Sequence, residues 1–184
     1  MKINDIKGLI LPNKKDEEFL KINFDALFSY DFKEHQTYEF DIMGLESIED
    51  KSTYESVLFD IARSVDNTQK VITINKNIAE PIFLIHKIKD DETFFTNSLK
   101  IKVAKNIKAQ VVEVFVTSSK NSVYGVNRSF EIEENASLEY VKVQDISETN
   151  SFIFNANIEQ KDSSTLDFTN FEYGNGFILN NFIN

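Results

Sequence analysis

Two histidines and three acidic runs are the side chains in this sequence that could bind a metal ion or transfer protons. The histidines, His35 and His86, lie far apart in different segments, and a transition-metal site would need two or three more donors converging on either of them. We therefore predict no metal site, and we expect His86 to end a strand and to meet solvent or a backbone carbonyl.

The acidic runs could in principle supply an acid and base pair or a calcium site. They are Asp16–Glu18, Asp90–Glu92 and Glu131–Glu134. In the last run, Glu131 and Glu133 flank the apolar Ile132, so in a strand both carboxylates point outward together. We interpret this pattern as a solvated strand face.

Other catalytic signatures are missing from the sequence. It contains no Cys, so a thiolate can be neither nucleophile nor metal ligand, and the lack of a Walker A sequence predicts no nucleotide hydrolysis. Gly174-Asn-Gly176 lacks a third glycine and a following helix, which predicts a turn rather than a phosphate-binding loop. The sequence thus predicts no catalytic residue and no metal ligand, and it assigns no cofactor-binding residue.

Charge and composition argue against several classes of partner. The 184-residue chain has 30 Asp and Glu against 20 Lys and Arg, a net charge of −10. This charge repels phosphate backbones and anionic lipid, so we predict neither nucleic acid nor a membrane as a partner. The apolar run Gly8–Leu11 is too short for a signal peptide, and no run approaches the ~20 residues of a transmembrane helix. We therefore expect a cytoplasmic protein, which the lack of cysteine also suits.

A unit of two short strands recurs between Leu99 and Phe171. The first copy precedes the second by 29 residues and matches it at six pairs of positions: Ile101/Phe130, Val103/Ile132, Asn106/Asn135, Ala109/Leu138, Val111/Tyr140 and Val114/Val143. The third copy follows by 28 residues and matches at four: Phe130/Ile158, Leu138/Leu166, Tyr140/Phe168 and Val143/Phe171. Each unit has a strand with period-2 alternation, a polar turn and a second such strand, and stacked units of this kind bury a shared core. We predict a mainly β fold, a right-handed β-helix (β-solenoid) preceded by a small α+β N-terminal segment.

Aromatic side chains in these units could form a sugar-binding stripe. They are Phe130, Tyr140, Phe168 and Phe171. Their strand spacing beside apolar neighbours favours stacking in the core instead.

The elements before the repeats are less regular. Asn13 to Phe28 predicts an amphipathic helix, Gln36 to Ile42 a strand, and Ser52 to Val65 a second helix that begins with a capping box. The polar break at Asp66–Gln69 predicts a boundary between residues 1–66, the N-terminal segment, and residues 67–184, the β-helix coils. Two apolar runs, Val71–Ile74 and Pro81–His86, predict the strands that precede the repeats.

The last residues, 177–184, predict the start of another strand. An open solenoid end presents unpaired backbone groups and apolar side chains, which natural arrays cover. We therefore expect the coils to be incomplete at the C-terminus, so that the chain is a fragment or its last coil is covered by another copy or another protein.

Leu11-Pro-Asn-Lys-Lys-Asp-Glu-Glu-Phe19 resembles the N-terminal signature of the SufD branch of the SufB/SufD family, with Phe19 where that family usually has Trp. Asn77-Ile-Ala-Glu-Pro-Ile-Phe-Leu-Ile-His86 resembles the segment that leads into the β-helix of the same family. The pattern from Ile101 to Val116 is similar to its first coils.

The resemblance implies a scaffold for iron–sulfur cluster assembly without turnover of its own, and so no enzyme. It implies pairing of β-helices between SufB-like and SufD-like proteins or in a homodimer, and binding of a SufC-like ATPase, in a SufBCD-type complex that assembles the cluster. The family's cluster-related Cys and His and its SufC-binding region belong to coils and helices that follow the part resembled here. No functional residue of the family is therefore carried onto this sequence, and no cofactor is expected in this chain.

A stand-alone β-solenoid that binds or processes a polysaccharide, or binds a protein ligand, is the alternative hypothesis. A polysaccharide-processing enzyme would need carboxylates at equivalent positions of successive coils. Positions 102, 131 and 159 hold Lys, Glu and Glu, which favours the scaffold.

Overall fold

The computed structural model describes residues 1–13, 15, 17–37, 46–54 and 56–184. The strands in these ranges are β1 (Glu34–Thr37), β2 (Glu46–Glu49), β3 (Thr68–Ile74), β4 (Ile82–Ile88), β5 (Thr93–Val103), β6 (Lys108–Thr117), β7 (Val123–Ile132), β8 (Ser137–Ile146), β9 (Ser151–Gln160), β10 (Thr165–Gly174) and β11 (Phe177–Ile183). The helical segments are two 3-10 helices, Ile3–Asp5 and Glu17–Phe19, and two α-helices, α1 (Asp25–Ser29) and α2 (Leu58–Ala62).

From β3 onward, consecutive strands alternate between two parallel sheets. Sheet A contains β3, β5, β7, β9 and β11 in that order, and sheet B contains β4, β6, β8 and β10. A chain that crosses between two sheets and advances by one strand each time is a β-solenoid, here of about four turns. The predicted mainly β solenoid is therefore confirmed.

The strand registers reproduce the repeat read from the sequence. In sheet A, Ile101 pairs with Phe130, and Phe130 pairs with Ile158. In sheet B, Leu138 pairs with Leu166. An offset of 28 or 29 residues is thus the length of one coil of the solenoid, and side chains at equivalent positions of successive coils stack directly on each other.

In successive coils, one residue of the turn between the two sheets has the same left-handed backbone conformation. Asn106, Asn135 and Ser163 have φ angles of 61°, 57° and 58°. Asparagine tolerates this left-handed conformation better than most residues because its short polar side chain bonds locally. The recurring asparagine of the repeat therefore marks a conformational requirement.

Alternation along the strands determines which side chains fill the interior. Even-numbered positions of β8 and β10 point inward, so Leu138, Tyr140 and Phe168 contribute to the apolar cluster. Phe171 lies three positions after Phe168, faces outward and is 45% exposed. The prediction that Phe171 stacks in the core is wrong. Its match to Val143 is the observed register, but both residues lie an odd number of positions after the inward Tyr140 and Phe168, so both belong to an outward row.

The N-terminal segment packs on the outer face of sheet A. Phe24, Phe32 and Ile61 form a second apolar cluster with Phe94 and Val123 of β5 and β7. Strand β1 adds to β5 in parallel, and β2 adds to β3 in antiparallel orientation. The predicted domain boundary at residue 66 stays a prediction, but the segment before it shares both a core and a sheet with the coils.

Helix α2 approaches the sheet closely at Gly125. A Cβ atom on Gly125 would lie 3.0 Å from Cα of Ala62. Asn127 and Asn155 donate side-chain hydrogen bonds to the carbonyls of Phe59 and Leu58, at 3.0 and 3.1 Å. These contacts hold the helix against the outer face of sheet A.

The helix predicted from Asn13 to Phe28 is wrong in the described residues. The chain forms one 3-10 turn at Glu17–Phe19 and starts again at α1. The side chain of Asn23 accepts a hydrogen bond from the backbone N–H of Asp25 at 3.0 Å, which begins the new helix. Two short segments let both Phe19 and Phe24 reach the apolar cluster, where each is 2% exposed.

The second predicted helix exists but is shorter. It begins at Leu58 rather than Ser52, whose backbone N–H instead bonds the Asp50 side chain at 3.0 Å. Glu55 of the predicted capping box lies outside the described residues. The predicted strand at Gln36–Ile42 is described only as far as Thr37, and residues 38–45 also lie outside. The strands predicted at Val71–Ile74 and Pro81–His86 are confirmed as parts of β3 and β4.

The turn asparagine allows a test of backbone strain. We expect Asn135→Gly to leave the free energy of unfolding almost unchanged, because glycine adopts positive φ without a steric penalty. Asn135→Val should lower it by about 1–2 kcal/mol, since a β-branched residue is strained in this region. Urea unfolding of the two variants measures the difference, and equal stability of both would contradict the role given to this turn.

Candidate functional site

A buried carboxylate, Glu113, lies at the centre of a polar group inside the solenoid. The alternation of β6 that buries Ala109 and Val111 also turns Glu113 inward. Tyr140 of β8 reaches it from the next coil, and Arg128 of β7 reaches it from the opposite sheet. The side chains of Glu113, Arg128 and Tyr140 are 0% exposed.

Arg128 binds the carboxylate of Glu113 in a bidentate manner. Its Nε lies 2.9 Å from Oε2 and its Nη2 lies 2.6 Å from Oε1. The remaining Nη1 donates to the backbone carbonyl of Asn127 at 2.6 Å. This fork geometry makes two parallel charge-assisted hydrogen bonds, which are stronger than hydrogen bonds between neutral groups.

Two further side chains bind the same carboxylate. His86 of β4 places Nε2 2.6 Å from Oε1 of Glu113, and the hydroxyl of Tyr140 donates to Oε2. An ionised carboxylate only accepts hydrogen bonds, so His86 carries its proton on Nε2. His86 also stacks on Phe115, with ring centroids 4.4 Å apart.

These contacts determine the ionisation of the cluster. Burial by itself would raise the pKa of Glu113, but the Arg128 guanidinium and the hydrogen bond from His86 outweigh it and hold the pKa far below the ordinary value. Burial lowers the pKa of His86 despite the adjacent carboxylate. Burial, with Glu113 next, raises the pKa of Tyr140 well above its ordinary value. Glu113 is therefore a permanent anion and His86 is neutral at pH 7.

The cluster is suited to holding structure rather than to acid–base chemistry. A general acid or base needs a pKa near the working pH and a path to the reacting group, whereas Glu113 cannot be protonated near neutrality and is enclosed by its three partners. We describe Glu113, Arg128, His86 and Tyr140 together as the ionic node of the solenoid.

A second polar group follows in the next coil and is centred on Lys142. Its Nζ donates to the side-chain oxygens of Gln144 and Asn180, at 2.6 and 2.8 Å, and lies 3.5 Å from Glu172. The ring centroid of Phe154 is 4.4 Å away. Burial lowers the pKa of Lys142 to about 8, and the Glu172 carboxylate opposes this shift.

Comparison with protein-family models assigns the coils that carry both polar groups. Residues 85–183 match the SufBD core domain of the SUF system for FeS cluster assembly. The chain belongs to the SufB/SufD family. Comparisons with curated proteins and with solved structures found no match.

The SufBD match covers the solenoid from within β4 to the end of β11. Both the ionic node and Lys142 therefore lie in the part of the chain that defines the family, whereas the packed N-terminal segment precedes it. The match places the chain in a family of FeS assembly proteins.

The last coil of the described chain presents its interior at the edge formed by β10 and β11. Phe182 of β11 packs on Phe168, with ring centroids 5.1 Å apart, and on Phe154 at 6.3 Å, yet it remains 47% exposed. Each of β10 and β11 is the terminal strand of its sheet in the described ranges. This edge combines backbone groups available for strand pairing with an apolar interior surface.

The residues singled out in the sequence do not assemble into a site. The prediction for His86 is wrong, because its ring is buried and bonded to Glu113 rather than to solvent or a backbone carbonyl. His35 lies in β1, where its Nε2 is 2.8 Å from the Thr96 hydroxyl. Within the described ranges, no group of three or more His, Asp or Glu side chains is arranged to hold a metal ion.

Two of the acidic runs and the glycine turn follow more closely what was expected. In the run Asp16–Glu18, Asp16 and the side chain of Glu18 lie outside the described residues. Glu131 points away from the interior, as predicted, and pairs with Lys100 and Lys102 at 2.9 and 3.3 Å. Asp91 accepts a hydrogen bond from the backbone of Lys120 at 2.7 Å. Gly174 has φ +94°, and the residues between β10 and β11 form the predicted turn.

Sequence reasoning missed the ionic node, although a signal for it was present. Glu113 lies two residues after Val111, and Arg128 lies two residues before Phe130. Both therefore share the inward alternation of side chains that had been assigned to the core. A charged residue at an inward position of a strand requires a buried partner, and the two opposite charges satisfy this requirement for each other.

Removing one member of the Glu113 and Arg128 pair should lower the free energy of unfolding more than replacing both with apolar residues. We expect Glu113→Leu to lower the free energy of unfolding by about 3–5 kcal/mol, because it leaves Arg128 as an uncompensated buried charge. Adding Arg128→Met to the same chain should restore most of this loss. Denaturant unfolding provides the measurement. The control is Glu134→Leu, which removes a solvated surface pair with Lys105 and should change stability by under about 1 kcal/mol. A double variant no more stable than Glu113→Leu would contradict this account.

The low pKa of Lys142 predicts a pH dependence of stability. Between pH 8 and the ordinary lysine value of 10.5, the unfolded chain binds more protons than the folded chain, so the contribution of Lys142 to stability rises with pH. Lys142→Met should flatten the rise in unfolding free energy across this window, whereas Lys76→Met, at an exposed turn, should leave it unchanged. Melting curves from pH 7 to pH 10.5 test this, and identical slopes for the two variants would refute it.

Proposed function

We propose that this chain is a non-catalytic scaffold subunit of a SufBCD-type complex for iron–sulfur cluster assembly. The observation that carries the proposal is the SufBD core match over residues 85–183. The enclosed node supports it as well, because the Glu113 carboxylate, whose pKa is held far below its ordinary value, is not suited to proton transfer near neutral pH.

The scaffold acts through pairing of its β-solenoid with a SufB-like protein or with a second copy. The edge of β10 and β11 is the surface that supports this pairing. A coil stacked on it would pair the free backbone groups of two strands and bury the exposed part of Phe182. A SufC-like ATPase is the third member of the proposed complex.

The iron–sulfur cluster is cargo of the proposed complex rather than a cofactor of this chain. The sequence has no Cys, and thiolates are the usual protein ligands of such clusters. The described His, Asp and Glu side chains also form no group that could replace them. Ligands for the cluster are therefore expected from the partner.

Within the family, we place the chain in the SufD branch. The support is the Leu11–Phe19 segment, which resembles the N-terminal signature of that branch. The complex is proposed to work in the cytoplasm. No helix in the described residues is long and apolar enough to cross a membrane.

The polysaccharide alternative gains no support from the side chains at positions 102, 131 and 159. Strand pairing aligns Lys102, Glu131 and Glu159 in one row. Glu131 is paired with lysines, so the row provides no pair of free carboxylates for glycoside hydrolysis.

Co-expression with SufB-like and SufC-like proteins tests the proposal. We expect the tagged chain to retain the SufB-like protein on an affinity column. Phe182→Asp should abolish this retention, because it places a carboxylate where the next coil must pack on an apolar surface. Ile48→Asp, at an exposed position of β2, is the matched control and should bind normally. A folded wild-type chain that retains neither partner would refute the scaffold assignment.

A further inference from the structure

The outer face of sheet B is apolar across the centre of all four strands. The strand registers align one row from β4 to β10, made of Ile85, Val114, Val143 and Phe171, and a second row that begins with Phe83 and Val112. Phe83, Ile85 and Phe171 are 58%, 47% and 45% exposed. Contiguous exposed apolar surface of this kind marks an interaction site in soluble proteins.

On the outer face of sheet A, apolar residues at outward positions are covered by other parts of the chain. There, Phe94 and Val123 hold equivalent outward positions and are both 0% exposed, because the N-terminal segment packs over them. That segment occupies the side of the solenoid opposite to sheet B.

Charges on the outer face of sheet B are divided into two halves. On β4 and β6, the outward charged residues are Lys87 and Lys108. On β8 and β10, they are Glu139, Asp145 and Asp167. All five are exposed. One half of the face is therefore positive and the other half negative.

We infer that this face binds the same face of a second copy of the chain, about a two-fold axis that runs parallel to the strands between β6 and β8. Such an axis exchanges β4 with β10 and β6 with β8. The lysine half of each copy then lies over the carboxylate half of the other, and the apolar rows lie over each other. A face that complements itself in this way is the requirement for a closed two-fold dimer.

The register identifies the charge pair that the dimer brings together. Lys87, Val116 and Asp145 occupy one row of sheet B. The axis keeps rows in register, so Lys87 of one copy lies within one strand spacing of Asp145 of the other, across sheets packed about 10 Å apart. Each dimer contains this pair twice.

The size of the face indicates a weak dimer. One strand of seven residues and three of ten span about 19 Å by at most about 33 Å, which gives no more than about 600 Å² for each copy. Stable complexes bury about 800 Å² for each partner, and the net charge of −10 opposes association. We expect a dissociation constant in the micromolar range.

Sedimentation velocity of the purified chain, over about 1 to 100 µM, tests the dimer. Lys87→Glu and Asp145→Lys should each weaken it about tenfold or more, because each places like charges opposite one another. The double variant should restore the wild-type constant to within about threefold, because it exchanges the two charges. Lys76→Glu changes the net charge by the same amount as Lys87→Glu, but at a turn outside this face. In added salt that screens the change of net charge, its dissociation constant should equal that of the wild-type chain.

Other variants separate this face from the edge of β10 and β11. Val143→Lys, near the proposed axis, should abolish the dimer, whereas Phe182→Asp should retain it. A chain that stays monomeric at every concentration would overturn the dimer proposal. A dimer that is abolished by Phe182→Asp but unchanged by the Lys87 and Asp145 variants would also overturn the proposal. That result would not contradict the scaffold function.

Discussion

The bidentate pair between Glu113 and Arg128 is the constraint on which the interior of this solenoid depends. Neither charge can be taken out of water alone without a penalty of several kcal/mol. Because the two residues lie on different sheets, their pairing ties sheet A to sheet B inside the coils. His86 and Tyr140 donate further hydrogen bonds to the same carboxylate, so side chains from four strands meet at Glu113.

Polar side chains continue along the interior toward the edge of β10 and β11. Glu113 is followed one coil later by Lys142, which in turn meets Glu172 in the coil after it. Each charge is paired within its own coil or with the next. Apolar rings of Phe130, Tyr140 and Phe168 stack beside this column and supply the hydrophobic burial that the polar groups do not.

The two outer faces of the solenoid have different roles because they carry different residues. Sheet A presents apolar and amide side chains that receive α2 and the apolar side chains of Phe24 and Phe32. Sheet B presents apolar rows that cross a positive half and a negative half. Both faces belong to a chain whose family serves FeS cluster assembly.

The sequence by itself determined the solenoid, because apolar residues that recur at 28 and 29 positions with period-2 alternation can bury their faces only by stacking. It also identified the asparagine turns and the family. Only the tertiary structure decided the lengths of the helices, since Phe19, Phe24 and Leu58 all have to pack against the outer face of sheet A. It alone also decided the partners of His86 and Glu113, because a strand pattern shows that a side chain points inward but does not show which side chain meets it from the opposite sheet.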